Sequence, residues 1–303
     1  MFGAVGLDGA APGEVEAAGG PYFDRELFLS KGGEACVAAF RALVMGHYAR
    51  SGRAFPWRET RDPWAILVSE IMLQQTQTER VVPKYEAFLA AFPRPVELAA
   101  APLSTLLALW SGLGYNRRAL ALKRSAQEIV ELHGGELPES AEELDALPGV
   151  GPYTARAVMA FAFGEPSVFI ETNIRSVYLY HFFPGEEAVA DKLLEPLIAR
   201  SLDSADPRSW YYALMDYGAA LKKRIGNPNK RSAQYAKQGR FEDSHRRIRG
   251  AVLRELSGRG SAGLSRDEIA SRLPFARERV EKAIGELVAE GFIAEKGGIV
   301  RIA

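Results

Sequence analysis

At 303 residues and 47% apolar composition, the chain is long enough for one large domain and a small second one, with a sizeable buried core. Its formal net charge is zero, which decides nothing about a nucleic-acid partner, and its single cysteine, Cys36, excludes an intramolecular disulfide and a multi-cysteine metal site. No apolar run reaches the roughly 18 residues of a membrane span, and no basic-then-apolar leader occurs; the chain is read as soluble, intracellular and without a membrane partner.

Apolar residues recur with helical period almost throughout, and Val/Ile-rich alternation appears only near the C-terminus, so a mainly α fold is expected. Residues 1–33, rich in Gly, Ala and acids, are expected to form a flexible leader. A helix is predicted over 36–51, broken by Phe55-Pro56-Trp57-Arg58. Asp62-Pro63 supplies an N-cap carboxylate and a first-turn proline for a helix over about 64–78. Helices follow at 82–91, 103–112 and 118–133. Ser140 and Glu143 form a capping box for a short helix ending near Leu147. Pro148-Gly149-Val150-Gly151 then turns the chain into a helix over 152–163. One short helix follows Asn173 and two more reach Leu221, which completes a helical domain over 34–226. Residues 227–242 read as a basic linker. Residues 243–303 read as a small unit: helices over 244–257, from the Ser265/Glu268 capping box, and over 275–290, then strands over 292–294 and 299–302 around Lys296-Gly297-Gly298. That order resembles a winged helix, a unit that binds either DNA or protein.

Three segments carry candidate chemistry. In Leu147-Pro148-Gly149-Val150-Gly151-Pro152-Tyr153-Thr154-Ala155, two helices joined by Gly-Val-Gly present backbone N–H groups at a helix N-terminus, where a phosphate can approach closely. In Ser69-Glu70-Ile71-Met72-Leu73-Gln74-Gln75-Thr76-Gln77, Glu70 lies one turn from Ile66, Leu67, Leu73 and Gln74. A carboxyl in such company is expected to have a raised pKa and to be able to donate a proton. From Lys222 to Arg254 the chain carries 11 Lys/Arg against two acids, Glu242 and Asp243, a stretch suited to phosphate contact.

The hairpin string and the Glu70 string together resemble base-excision glycosylases of the helix-hairpin-helix superfamily, and among them adenine glycosylases of the MutY type. Phe55-Pro56-Trp57-Arg58, Gly112-Leu113-Gly114-Tyr115 and Phe169-Ile170-Glu171-Thr172-Asn173 are similar to further family segments. The resemblance covers roughly residues 40–225. It implies a monofunctional DNA N-glycosylase that hydrolyses the bond to adenine mispaired with guanine or 8-oxoguanine, acting as a monomer on double-stranded DNA in the cytoplasm or on a bacterial nucleoid.

The resemblance also implies the site. Glu70 is the acid that protonates adenine N7. Glu171 stands where the family has its catalytic aspartate, with Asn173 beside it, and Tyr153 occupies the place where bifunctional relatives carry a lysine. Gln74, Gln75, Gln77, Tyr115, Asn116, Gly149, Val150, Gly151, Thr154, Lys222 and Lys223 are the implied DNA contacts. Asn116 replaces the aromatic wedge that the family places after its tyrosine. The family's iron–sulfur cluster is expected to be absent, since no cysteine follows Asp216-Tyr217-Gly218-Ala219, and no metal or other cofactor is expected. Alternatives are a thymine or uracil mismatch glycosylase, or a non-catalytic DNA-binding relative that keeps the scaffold.

Overall fold

The computed structural model describes residues 20–236, 244–259 and 262–303. Its contacts divide the chain into two units, one of residues 1–54 and 164–236, the other of residues 55–163 and 237–303. The first 19 residues of the expected leader and residues 237–242 of the expected linker lie outside the described residues.

The first unit is built on aromatic packing. Helix Glu34–Ser51 brings Phe40 against Phe182 of helix Thr172–Phe182, with ring centroids 5.2 Å apart, and Phe28 meets Phe182 at 4.8 Å. Residues 20–33, expected as loose leader, belong to this core. Asp24 caps helix Arg25–Leu29 through Leu27 N at 2.7 Å, Phe28 is fully buried, and Phe23 packs on Phe40 and Phe182. The Gly/Ala-rich composition of residues 1–33 taken together concealed Phe23 and Phe28, side chains of a type that buries on the order of 150–250 Å². Helix Pro207–Ile225 crosses Thr172–Phe182 at very close range because Gly218 has no side chain. A Cβ there would lie 2.2 Å from the Asn173 carbonyl oxygen.

The second unit surrounds helix Pro63–Leu73, whose nine consecutive residues Trp64–Met72 are all buried. Asp62 caps it by accepting from Trp64 N at 3.0 Å, with Pro63 in the first turn. The helix stops at Leu73, short of the predicted 78, because Gln75 adopts a left-handed conformation (φ 56°) and Thr76 N closes onto Leu73 O at 3.2 Å. Helices Thr78–Ala91, Pro95–Ala100, Leu103–Trp110, Arg117–His133 and Ala141–Ala146 follow. Helix Pro152–Val158 continues as a π-helical turn, Met159–Phe163, where a single α-helix was expected.

The C-terminal part of this unit contains helices His245–Ser257, Arg266–Arg272 and Arg277–Ala289 around Ile248, Val252, Ile284, Leu287 and Phe292. Strands Ile293–Lys296 and Ile299–Ile302 pair antiparallel, and a short strand, Leu264–Ser265, adds to the other edge of Ile299–Ile302. Among the described residues, no helix is long and apolar enough to cross a membrane.

Candidate active site

Glu70 lies on the fully buried helix of the second unit and is itself only 6% exposed. A carboxyl so placed needs polar partners. Tyr153, in the first turn of helix Pro152–Val158, donates its phenolic hydroxyl to Glu70 Oε2 at 3.0 Å. One residue further on, Thr154 is buried and its hydroxyl accepts from Gln74 Nε2 at 3.3 Å. The Glu70 segment and the hairpin, 80 residues apart, therefore meet as one polar cluster inside an apolar wall.

Arg118 holds this cluster together, and the sequence reading missed it. Its Nη1 donates to Ile71 O (2.8 Å), Met72 O (2.9 Å) and Gln74 O (2.6 Å), the open carbonyls at the end of the Glu70 helix. Its Nη2 reaches Thr76 Oγ1 at 3.0 Å and Gly114 O at 3.1 Å. A cation on helix C-terminal carbonyls satisfies both their hydrogen-bonding need and the helix dipole. Burial pushes the Arg118 pKa down to about 10, so the group is still cationic at neutral pH. The loop it secures, Gly112–Asn116, runs through three left-handed residues: Gly112 (φ 96°), Gly114 (φ 74°) and Tyr115 (φ 49°).

The hairpin is as tight as its glycines allow. Gly149 has φ 78°, and a Cβ there would stand 2.6 Å from Ala121 Cβ. Ser125 Oγ ties the turn down by donating to Pro148 O at 2.6 Å. Val150 and Thr154, expected at the DNA, form the inner face instead. Val150 is buried and its N–H is engaged with Leu147 O at 3.1 Å. Gly149, Gln75 and Gln77 are exposed, and Gln74, Tyr115, Asn116 and Gly151 are half-buried.

The first unit carries the other expected carboxylate. Glu171 is the N-cap of helix Thr172–Phe182. Its Oε1 accepts from Asn173 N at 2.6 Å and Ile174 N at 2.9 Å, and its Oε2 from Asn173 Nδ2 at 3.2 Å. Burial raises the Glu171 pKa above the usual 4.5, opposed by the two backbone N–H groups, by the Lys222 charge and by the Asn173 amide. Lys222 sits one helical turn beyond Gly218, the residue pressed against Asn173, and is half-buried. Burial lowers its pKa, and the Glu171 charge pulls it back up. Lys222 thus faces Glu171, whereas Lys223 is exposed. Asp216 is a second missed residue. It is buried and accepts from Arg53 N (2.8 Å) and Arg53 Nε (2.7 Å), fixing the chain just before the second unit begins. Glu70, Tyr153 and the hairpin thus belong to one unit, and Glu171, Asn173 and the two lysines to the other.

An iron–sulfur cluster requires thiolate ligands, and the segment after Gly218 does not fit one. Its side chains are Lys222, Lys223, Arg224, Lys230 and Arg231, and Cys36 lies far away in sequence on helix Glu34–Ser51. Arg231 donates to Leu179 O at 2.9 Å and to Phe183 O, so it closes the C-terminal end of helix Thr172–Phe182. Val189 bridges to the same segment through Arg231 O and Ala233 N, each at 2.9 Å.

Residues 68–201 match the family described as HhH-GPD superfamily base excision DNA repair protein. It is 34% identical over 187 residues to an adenine DNA glycosylase of Buchnera aphidicola, covering 60% of this chain and 52% of the relative. It is also 34% identical over 197 residues to the adenine DNA glycosylase of Homo sapiens (61% of this chain, 36% of the relative). With that of Mycobacterium tuberculosis it shares 43% identity over 135 residues, 44% of each chain. The chain thus spans about a third to a half of the length of these relatives. Among solved structures it is similar to a thermostable thymine-DNA glycosylase, with 28% identity, a TM-score of 0.54, and coverage of 60% of this chain and 86% of that one. It shares the fold of an endonuclease III in a DNA complex, at 19% identity and a TM-score of 0.50.

Proposed function

We propose that the chain is a monofunctional DNA glycosylase that hydrolyses the N-glycosidic bond of adenine mispaired with guanine or 8-oxoguanine, and that it works without an iron–sulfur cluster. The observation that carries this reading is the buried Glu70 carboxyl held at 3.0 Å by the Tyr153 hydroxyl in a helix-hairpin-helix domain. The adenine-specific relatives of similar sequence support the choice of base.

The target base leaves the duplex before reaction. Protonated Glu70 then gives its proton to a ring nitrogen of the base. The C1′–N bond breaks and its electron pair leaves with the base. The oxocarbenium-like sugar is stabilised by the Glu171 carboxylate, and water adds to C1′ and loses a proton to a carboxylate. Tyr153 keeps the Glu70 side chain in one orientation. Its phenol cannot form the imine that a lysine would, so strand cleavage does not follow base loss.

One observation favours a second reading: the similarity to a thymine-DNA glycosylase structure, at 28% identity over most of that chain. Incubation with duplexes holding A opposite 8-oxoguanine, A opposite G, T opposite G and U opposite G, followed by alkali, separates the two. Alkali-dependent cleavage at the adenines alone is expected. Cleavage at T or U alone transfers the assignment to the second reading, and no cleavage of any duplex removes the enzymatic assignment.

A further inference from the structure

The C-terminal helices and sheet have no role in the reaction described above, yet one of their arginines reaches the loop clamped to the Glu70 helix. Arg246, near the start of helix His245–Ser257, donates from Nη1 to the Tyr115 hydroxyl at 2.5 Å, and its guanidinium lies 5.4 Å from the centre of the Tyr115 ring. The two residues are 131 positions apart in sequence. Arg118 lies 5.5 Å from the centre of the same ring while bonding Gly114 O and the Gln74–Thr76 turn. A continuous path of contacts therefore runs from the Glu70 helix through Arg118 and Tyr115 to Arg246, all within one unit.

The rest of the helix is fixed in register. Glu290 accepts from Arg117 (2.6 and 2.8 Å) and from Arg249 (2.6 and 2.8 Å), which ties the end of helix Arg277–Ala289 to helices Arg117–His133 and His245–Ser257 at once. These guanidinium neighbours hold the Glu290 pKa down to about 2. His245 and Arg249 both bond Glu286, so their partners are acids of the same C-terminal part. Arg246, by contrast, points to a tyrosine in the strained loop. A non-glycine residue at φ 49° is strained and persists only where its surroundings hold it. The ring between two guanidinium groups is such a surrounding.

We propose that the C-terminal winged-helix-like part is built into the DNA interface through Arg246, which positions Tyr115 and adds its own charge to the phosphate contacts of the Gly112–Asn116 loop. This inference rests on the glycosylase reading and gives a role to a region that reading leaves idle. Tyr115 with its two guanidinium neighbours and the half-buried Asn116 beside it give the loop a polar and cationic surface towards DNA. The C-terminal part then acts as a fixture of the catalytic unit, and its third helix need not enter a groove.

The test is the salt dependence of binding to an A:G duplex, measured by fluorescence anisotropy with Glu70→Gln in every arm so that no base is released. Loss of one phosphate contact makes the slope of log K against log salt shallower by about 0.9, which is about eightfold weaker binding at about 0.1 M salt, vanishing towards about 1 M. Arg246→Gln is expected to show this change and Arg246→Lys to retain the wild-type slope, a pattern that a packing role would not produce. Hydrogen exchange of the Glu70→Gln parent protein, with duplex added, is expected to protect the first turn of helix His245–Ser257, and this readout needs no Arg246 variant to fold. An Arg246→Gln protein with the parental slope, or no protection of that turn, overturns the inference while the glycosylase reading stands on wild-type excision. A wild-type chain that neither binds nor cleaves any duplex overturns both.

Discussion

Replacing Glu171 by Gln keeps the shape of the side chain and removes its charge. The structure sets what should follow. The amide oxygen can still accept from Asn173 N and Ile174 N, now at 2.6 and 2.9 Å, so the cap of helix Thr172–Phe182 survives. On the proposed mechanism, what disappears is the negative charge that stabilises the developing sugar cation, an electrostatic loss of about 100- to 1000-fold in rate. Stability should move the other way. Burial raises the Glu171 pKa above 4.5, so between that value and the folded-state pKa the native protein holds a proton that the unfolded chain has released. Native stability therefore falls as pH rises through that window, and the cost is fully present above it. Glu171→Gln removes this fall, so its melting temperature at neutral pH should match or exceed that of wild type. Glu171→Asp shortens the reach by roughly 1 Å, a displacement that can change rate by about 100-fold, while aspartate remains a strong N-cap. It should preserve or raise the rate. Single-turnover excision from an A:G duplex, followed from pH 5 to 9 (approximately the range over which one raised carboxyl titrates,) alongside thermal melts, measures both effects. A Glu171→Gln enzyme that excises at near wild-type rate would refute the carboxylate's role.

Three further outcomes follow from single contacts. Arg118→Met should destabilise the protein by about 3 kcal/mol or more in urea titration, because it strands buried carbonyls at the end of the Glu70 helix together with Gly114 O. Gly218→Ala should lower both excision and melting temperature, since its Cβ would meet the Asn173 carbonyl at 2.2 Å and force two helices apart beside Glu171. Tyr153→Phe removes one hydrogen bond to Glu70 and should slow excision about tenfold with binding retained, the effect of about 1.4 kcal/mol on a poised acid.

Much of this was legible in the residues. Asp62-Pro63 announced the start of the Glu70 helix, and Leu147–Ala155 announced the hairpin, because caps and glycine turns are local chemistry. The end of the Glu70 helix was not legible. It is decided by a guanidinium that arrives from Arg118, 44 residues beyond Gln74, and an arginine in a helix's first turn reads as surface charge. Lys222 read as a phosphate contact because it opens a basic run, whereas Gly218 brings its turn of helix against Glu171 and half-buries it. Val150 and Thr154 carry the right motif letters but face inward, and a motif does not state which way its side chains turn. Asp216 and Arg53 are separated by 163 residues, so their pairing belongs to tertiary structure alone.

The most direct test of the proposed chemistry is Glu70→Gln. The substitution keeps an oxygen for the Tyr153 hydroxyl at the position now 3.0 Å away and cannot supply the proton that the departing base requires. Base release from an A:8-oxoguanine duplex should be measured under single-turnover conditions beside binding to the same duplex. Undetectable excision with wild-type affinity is the expected result. Adenine release at a rate near that of wild type would contradict the assignment of Glu70 as the acid, and with it the adenine glycosylase mechanism.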